Sequence, residues 1–306
     1  MHKHNHAYAS YLSDLQQAPA KLLMTFLLIA CIALQSTHSV AEEKRSAFQN
    51  IINKVSRSGS LLMLQAVCDQ GKAEIRDGIT RCTACPSFAS APTQGSGFEL
   101  ANIVLGSFTQ AREPEALLYM KGCESDAAVD GGIVLLQQTT SGWSRLQYQK
   151  GAGFNECLKF RTLEDVSNLL CNHSTLVNGN QTGNVFWVDL AENKFSRTPL
   201  LRWFENTSSN PRELVSVFPY RFLRSDFNQD GRSDVRITFR IREHLIPEKY
   251  AGALDAINSG YKIDPPRPLS LTYLFNGQSL KLQKDSQENL TTINQIVNKH
   301  LPTASR

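Results

Sequence analysis

Residues 225–240 read SDFNQDGRSDVRITFR, a short acidic loop that turns at once into an alternating apolar run. Side chains that offer metal-ligating oxygens occupy even-numbered positions of the loop, namely Asp226, Asn228, Asp230 and Asp234. Val235, Ile237 and Phe239 then follow with the period of two that is typical of a half-buried β-strand. The stretch therefore predicts an acidic loop that leads directly into a strand.

The chemistry of this loop favours calcium. Calcium takes about six to eight oxygen ligands, and a tight loop can supply them from every second residue. Gly231 permits the sharp turn that brings those residues together. The expected ligands are Asp226, Asn228, Asp230, the backbone carbonyl of Arg232, and Asp234. An EF-hand would require a glutamate inside a helix where Ile237 stands, so we expect a calcium loop flanked by strands.

We expect a bound calcium ion to have a structural role. Clustered carboxylates repel one another, and an ion relieves that repulsion while it fixes the turn. No base or nucleophile accompanies the loop in the sequence, so catalysis by the ion is disfavoured. The alternative is an acidic, solvated turn without metal, because Asp, Asn and Gly favour turns in any case.

The acidic loop has a counterpart earlier in the chain. The stretch GSFTQAREPEALLYM from Gly106 aligns without a gap with SDFNQDGRSDVRITF from Ser225, so that Glu115 falls on Asp234. A third, weaker copy is LEDVSNLLC, in which Asn168 takes the equivalent position. A period near 60 residues with about four strands is typical of propeller blades, although irregular antiparallel sandwiches also repeat.

The stretch DFNQDGRSDV resembles the calcium loop of FG-GAP or VCBS-type repeats, whose usual form is near D-x-N-x-D-G-x-x-D followed by an apolar strand. The copy at residues 106–118 keeps the framework of that motif and lacks its ligands. The chain also resembles bacterial exported proteins of unknown function that carry such loops. The resemblance implies antiparallel sheets in blade-like pseudo-repeats, as in integrin-like propellers.

The remaining sequence predicts a mainly β protein with short helices at both ends. We expect a signal peptide over 1–41, a helix over 42–60, a β-rich repeat domain over 61–285 and a C-terminal helix over 286–306. Within the β-rich part, LLMLQAV at 61–67 is predicted as a strand, and a hairpin is predicted across Asn276-Gly277. PEKYAGALDAINSG, residues 247–260, is predicted as a helical insertion between strands.

The N-terminal segment carries the marks of an export signal. Lys21 precedes an apolar run from Leu22 to Leu34, and Ser39-Val40-Ala41 supplies the small residues of a cleavage site after Ala41. The alternative is a lipoprotein, because Leu28-Ile29-Ala30-Cys31 matches a lipobox in which Cys31 would be lipidated. The formal charge of +4 is too small to indicate nucleic acid or an anionic membrane as partner. We expect periplasmic or secreted localisation.

Six cysteines follow the expected cleavage site, and an even number on an exported chain favours disulfides. They are Cys68, Cys82, Cys85, Cys123, Cys157 and Cys171. The pairing stays open, except that a turn near Glu164-Asp165 would place Cys157 opposite Cys171 on antiparallel strands. Cys82 and Cys85 have CxxC spacing, and we expect structural bridges to Cys68 or Cys123 rather than a redox pair.

The functional class follows from these features. We expect a non-enzymatic, calcium-stabilised binding or structural module of the cell envelope, with an unidentified protein or glycan as its partner. One alternative is a secreted hydrolase with a pocket lined by Glu124, Asp126 or His173, and another is a thiol-redox protein that uses Cys82 and Cys85. His173, His244 and His300 are expected to be surface or cap residues, and Trp143, Trp187 and Trp203 to pack in the strand core.

Overall fold

Two antiparallel sheets make up about half of the residues that the structure describes, and three α-helices accompany them there. The computed structural model describes residues 55–89, 97–123, 130–177, 179–190, 194–206 and 211–301. The predicted signal peptide, the lipidation candidate Cys31 and most of the predicted helix over 42–60 lie outside these residues. No helix in the described ranges is both long enough and apolar enough to span a bilayer.

The first helix corrects one prediction. Helix α1 spans Arg57–Gln65, so the strand predicted over LLMLQAV is wrong. Leucine and methionine are strong helix formers, and the buried residues recur with helical spacing: Ser60, Met63, Leu64, Val67 and Cys68. Ser56 begins the helix, because its side chain accepts a hydrogen bond from the N–H of Gly59 at 3.1 Å. The helical period outweighs the short apolar run that suggested a strand.

The first sheet has six strands in chain order. They are β1 Ala73–Arg76, β2 Ile79–Cys82, β3 Phe98–Gly106, β4 Glu115–Lys121, β5 Asp130–Thr139 and β6 Gly142–Lys150. The β1–β2 hairpin turns at Asp77-Gly78, whose φ angles of 53° and 80° suit the two-residue turn that favours Asp-Gly.

The second sheet has eight strands, also in chain order. They are β7 Glu156–Arg161, β8 Ser167–Val177, β9 Asn180–Asp189, β10 Ser196–Asn206, β11 Glu213–Ser225, β12 Asp234–Leu245, β13 Arg267–Phe275 and β14 Leu280–Leu282. The β13–β14 hairpin across Asn276-Gly277 is confirmed.

The chain contains three successive blocks of four antiparallel strands. We call β3–β6 the first block, β7–β10 the second block and β11–β14 the third block. The second and third blocks share one sheet, but β10 and β11 pair only at Phe204 with Val217 and at Glu205 with Ser216. The mainly β fold and the antiparallel sheets are therefore as the sequence predicted, while two blocks share a sheet rather than forming separate blades.

Two further helices complete the fold. Helix α2, Ala253–Asn258, lies between β12 and β13 and is shorter than the predicted insertion. Helix α3, Gln287–His300, confirms the predicted C-terminal helix and packs on β10, β11 and β13. Its buried residues Ile293, Ile296 and Val297 belong to the apolar cluster that covers the outer face of the second sheet.

The alternation of apolar residues assigns each strand face to a different layer of the core. In β4, Leu117 and Tyr119 face the second sheet, whereas Leu118 and Met120 face the cluster that contains α1. In β9, Phe186 belongs to the layer between the sheets, and its neighbour Trp187 belongs to the cluster under α3. Because both faces of these strands are covered, their sequences are nearly continuous apolar runs.

Three disulfides join the six cysteines of the described chain: Cys68–Cys82, Cys85–Cys123 and Cys157–Cys171. Cys157 and Cys171 are directly opposite in the β7–β8 pair, as the sequence predicted. Cys82 and Cys85 each pair with a different cysteine and not with each other. Such bridges are typical of an oxidising, exported environment.

Gly183 lies directly under the ring of Trp203 in the second sheet. The two residues are paired between β9 and β10, and the buried indole of Trp203 lies over the backbone of Gly183. The indole Nε1 donates to Oδ1 of Asn172 at 2.9 Å, which fixes the orientation of the ring. A Cβ atom at position 183 would overlap the indole. The ring would have to move to make room for it, and that movement would break the hydrogen bond to Asn172.

We predict that Gly183→Ala lowers the free energy of unfolding by about 1–3 kcal/mol, because the added methyl overpacks a fixed ring. Urea denaturation followed by circular dichroism measures the change. Gly97→Ala is the matched control, since its nearest contact would be an ordinary 3.4 Å to the carbonyl oxygen of Cys82. Equal stabilities of the two variants would contradict this account of the packing.

Candidate metal loop and basic cleft

The acidic loop connects β11 to β12, the first and second strands of the third block. Gln229 and Gly231 have positive φ angles of 62° and 83°, and these two residues reverse the chain within the loop. Left-handed backbone is inexpensive for glycine, so Gly231 serves the turn as the sequence indicated. Asp226, Asn228 and Asp230 are all exposed on this turn.

The side-chain oxygens of the loop gather around its own backbone. Both carboxylate oxygens of Asp226 accept hydrogen bonds, from the N–H of Asp230 at 3.1 Å and of Gly231 at 2.8 Å. The N–H of Asp230 also donates to Oδ1 of Asn228 at 3.3 Å. Oxygens of Asp226 and Asn228 therefore share one donor and lie on the same side of the turn.

Asp230 accepts three hydrogen bonds from within the loop. The N–H of Arg232 donates to its Oδ1 at 2.9 Å, and the Asn228 amide and the Arg232 guanidinium donate to Oδ2 at 3.1 and 3.3 Å. The backbone hydrogen bond from Arg232, followed by the side-chain contacts, holds the pKa of Asp230 below its ordinary value. The group is therefore an ionised carboxylate at neutral pH.

Asp234 differs from the other acidic residues because it is completely buried. Its Oδ2 accepts from the N–H of Phe227 at 2.9 Å, and its Oδ1 accepts from the N–H of Phe275 at 2.8 Å. The carboxylate thus joins the loop, the start of β12 and the end of β13. A buried charge is costly unless it is fully hydrogen-bonded, and these two backbone donors satisfy both oxygens.

The donor set fits calcium through its exposed members. Asp226, Asn228 and Asp230 present hard oxygen ligands, and both oxygens of Asp226 and the Oδ1 atoms of Asn228 and Asp230 retain a lone pair beyond the one hydrogen bond that each accepts. The guanidinium of Arg232 already lies against Asp230, so an ion there would compete with this contact. The carboxylate of Asp234 is engaged with backbone donors, and its observed contribution is to position the loop.

The first block repeats the same contact. Glu115 begins β4 as Asp234 begins β12, and Glu115 is also buried, at 1% exposure. Its Oε2 accepts from the N–H of Phe108, seven residues earlier, as Asp234 accepts from Phe227. Thr109 donates to the same carboxylate through its N–H, at 2.8 Å, and through its hydroxyl.

The backbones of these two loops also agree. Arg112 has a φ of 67° at the position that Gly231 occupies, with a φ of 83°, in the alignment. The equivalence of the two loops, derived from an ungapped alignment, is thus present in the hydrogen bonds and in the backbone.

The second block uses an amide in place of the carboxylate. Asn168 is buried near the start of β8, and its Nδ2 donates to the carbonyl oxygen of Gln278 at 3.2 Å. The N–H of Leu163 donates to the carbonyl of Gly277 at 3.0 Å. The loop of the second block is therefore attached to the β13–β14 turn of the third block.

The corresponding loops of the first and second blocks, with strand residues of β7 and β11, line one cleft of about 370 Å³. Its lining includes four basic side chains from all three blocks, together with two polar residues of the second block: Arg112, Lys159, Arg161, Arg224, Asp165 and Ser167. The N–H of Ser167 donates to the carbonyl of Ser107 at 2.6 Å and ties the first two loops together. This cleft was not found from the sequence, because its residues are far apart along the chain.

A smaller hollow of about 220 Å³ adjoins the basic cleft. The two share Arg161 and Arg224, and the hollow extends over Phe160, Leu163 and Gly231. The acidic loop and the basic cleft therefore lie side by side at the same end of the blocks.

The structure places the other sequence candidates away from this site. His173 is buried, with its ring edge-to-face against Tyr119 at 5.9 Å, so its expected surface position is wrong. Its contact on β4 is Tyr119, which belongs to the apolar layer between the sheets, and this packing accounts for the buried position. Trp187 and Trp203 are core residues, as predicted. Glu124 and Asp126 lie outside the described residues.

A second group of titratable side chains lies at the end of α3. Within the described ranges, one set of three His, Cys, Asp or Glu side chains has ligand atoms within 4.8 Å of one another: Glu213, Glu243 and His300. Lys299 donates to Oε1 of Glu243 at 2.8 Å, and Nε2 of His300 lies 3.1 Å from the same oxygen. Hydrogen bonds from Lys299 and then His300 lower the pKa of Glu243. Because an ammonium group already neutralises Glu243, we interpret the cluster as an ion pair that holds α3 on the sheet.

Comparison of the chain with models of known protein families, with curated proteins and with solved structures returned no match. The resemblance to FG-GAP or VCBS-type repeats consequently depends on the loop residues and their contacts alone.

We predict that Asp234→Asn lowers the free energy of unfolding by about 1–3 kcal/mol, because an amide nitrogen would face a buried backbone N–H that loses its acceptor. Asp234→Ala should cost more, since both donors are then unsatisfied. Urea denaturation at neutral pH measures both variants.

The matched control for this prediction is Asp255→Asn. The carboxylate of Asp255 also accepts from a backbone N–H, that of Ala251 at 2.9 Å, but it is exposed to water. We expect its substitution to change stability by less than about 0.5 kcal/mol. An Asp234→Asn variant as stable as the control would show that the buried carboxylate does not position the loop.

Proposed function

We propose that this chain is an exported, calcium-stabilised binding or structural module of the cell envelope that does not act as an enzyme. The observation that carries the proposal is a cleft to which all three blocks contribute side chains, with the equivalent hairpin loops of the first two blocks in its lining and that of the third block in the adjoining hollow. Loops held by a rigid sheet scaffold are where binding sites commonly form. Three structural disulfides support export, to the periplasm or the medium or as a lipoprotein anchored through Cys31.

We further propose that the three blocks are blade-like repeats of the FG-GAP or VCBS type. Their support is the shared first-hairpin loop, in which a buried carboxylate accepts the N–H seven residues earlier in the first and third blocks. The second and third blocks are joined in one sheet, so the proposal concerns the repeat unit and not a closed ring.

Within this proposal, calcium binds the exposed oxygens of the third-block loop. Asp226, Asn228 and Asp230 would supply side-chain oxygens, with the carbonyl of Arg232 as a backbone ligand. The sequence motif includes Asp234 among the ligands. In this arrangement Asp234 would instead position the loop through its buried hydrogen bonds. The ion would add charge neutralisation to a turn that otherwise depends on exposed hydrogen bonds.

The two alternative functions have less support. A thiol-redox role needs Cys82 and Cys85 as a reversible pair, and each is bridged to a different cysteine. A hydrolase built around His173 needs that ring to reach a pocket, and it lies in the core layer between the sheets. Both observations favour a binding role over catalysis.

We predict that calcium raises the melting temperature of the chain and that Asp230→Ala abolishes this rise. Calcium at about one hundred times its Kd should stabilise the folded state by about 2.7 kcal/mol, which corresponds to roughly 5–10 °C for a domain of this size. Differential scanning calorimetry with calcium and then with a chelator measures the effect.

Asp285→Ala is the control for the calcium experiment, because Asp285 is an exposed aspartate away from the loop. Its calcium-dependent rise should equal that of the parent. A parent chain that melts at the same temperature with calcium as with chelator would rule out the metal.

A further inference from the structure

We propose that the basic cleft binds a dianionic tetrahedral oxyanion, of the phosphate monoester kind, carried on a small organic group. The inference names a ligand class for the site described above, and it rests on the proposed binding function. The argument uses the charge of the cleft, the state of Arg224, the arrangement around Asp165 and the shape of the adjoining hollow.

The cleft has a strong excess of positive charge. Among the lining residues that the structure describes, Arg112, Lys159, Arg161 and Arg224 contribute four cations and Asp165 contributes the one carboxylate, so this set has a net charge of +3. The whole chain has a formal net charge of only +4, so this excess is concentrated rather than spread over the surface. A concave site lined by one sign of charge concentrates ligands of the opposite sign.

Arg224 is the cation with the least compensation. Within the described part of the chain no carboxylate pairs with its guanidinium, which lies 5.2 Å from the ring of Phe160. The side chain of Arg224 remains partly exposed, and the burial of the rest of it lowers its pKa with no described carboxylate to offset the effect. An anion in the cleft would supply the missing counter-charge.

Asp165 holds two other guanidinium groups in position. Its carboxylate accepts from Nε of Arg161 and lies 3.5 Å from Nε of Arg112, and the hydrogen bond from Arg161 holds the pKa of Asp165 below its ordinary value. One carboxylate therefore orients two cations while it neutralises only one. Both guanidinium groups keep further N–H donors that a ligand can use.

Donors from separate directions favour a tetrahedral anion over a planar carboxylate. Arg112 comes from the first block, Arg161 and Lys159 from the second, and Arg224 from the third. Guanidinium groups bind phosphate oxygens in forked pairs, and several such groups around one centre match the several oxygens of a phosphate monoester.

The size of the cleft indicates that the anion is attached to a larger group. About 370 Å³ lies within the range of small-molecule sites and exceeds what a bare phosphate ion requires. The adjoining hollow, lined partly by Phe160 and Leu163, offers room for the carrier on the far side of Arg224. A phosphorylated sugar and a phosphate-bearing lipid headgroup both have this chemistry.

Isothermal titration calorimetry of the full chain with glucose 6-phosphate, at low ionic strength, tests the proposal. We expect saturable binding that weakens as salt is added, and no binding of glucose itself. Arg224→Gln should weaken binding about ten-fold or more, because it removes a charged donor that is not paired with any described carboxylate and is therefore available to the ligand. Absence of binding to the parent chain would overturn the proposal.

Arg240→Gln is the matched control variant. Arg240 is exposed on β12, and its guanidinium lies 4.7 Å from the ring of Tyr220. Like Arg224 it is an arginine next to an aromatic ring, but it is not among the residues that line the cleft. We expect its affinity to equal that of the parent. Equal weakening by both substitutions would mean that the ligand is attracted by overall charge, and the cleft would then not be the site.

Two further titrants distinguish the sources of the oxyanion. Vesicles of phosphatidylcholine with phosphatidic acid test a lipid headgroup, and inorganic phosphate tests the bare ion. Binding of any phosphate-bearing titrant that is lost in Arg224→Gln supports the cleft and identifies its source. Equal binding of pure phosphatidylcholine vesicles and of vesicles with phosphatidic acid would contradict a role for phosphate charge in that arm.

The outcome is independent of the calcium experiment. The lining of the cleft contains none of Asp226, Asn228 and Asp230, so phosphate binding should persist in chelator. Loss of calcium binding with retained phosphate binding would reject only the metal, and the reverse would reject only the oxyanion site.

Discussion

The buried carboxylate of Asp234 is the contact on which the third block depends. It lies at the first position of β12 and accepts one backbone hydrogen bond from the loop before it and one from β13 beside it. A charge in the core is tolerated only when such donors surround it, so the loop and the neighbouring strand must both be in place. Glu115 imposes the same requirement on the first block.

This constraint has a consequence at the surface. Because the second strand of each block begins at a fixed buried polar residue, the loop before it is placed at the same end of the block each time. The first two loops line the basic cleft there, and the acidic loop of the third block lines the adjoining hollow. A calcium loop and an anion cleft can therefore lie at the same end of the scaffold, and the described lining of the cleft includes none of Asp226, Asn228 and Asp230. Buried polar groups position the loops, and the exposed groups are left to bind ligands.

Much of this arrangement could be predicted from the sequence, wherever the signal was local. The period of two in β12, the Asn276-Gly277 turn and the spacing of Cys157 and Cys171 each describe contacts between residues close in sequence. Helix α1 was misread because a short apolar run fits a strand as well as a buried helix, and the covering contacts that decide between them are distant. The basic cleft could not be predicted, since Arg112, Arg161 and Arg224 become neighbours only when the three blocks assemble.

Hydrogen exchange of individual backbone amides, measured by NMR, tests most directly whether buried carboxylates organise these loops. The account predicts that the N–H of Phe227 exchanges as slowly as amides of the core strands, although it belongs to an exposed loop, because Asp234 accepts it in the interior. The N–H groups of Asp230 and Gly231, which donate to the exposed Asp226, should exchange far faster. Fast exchange at Phe227, at the rate of Asp230 and Gly231, would contradict the central role given to the buried carboxylate.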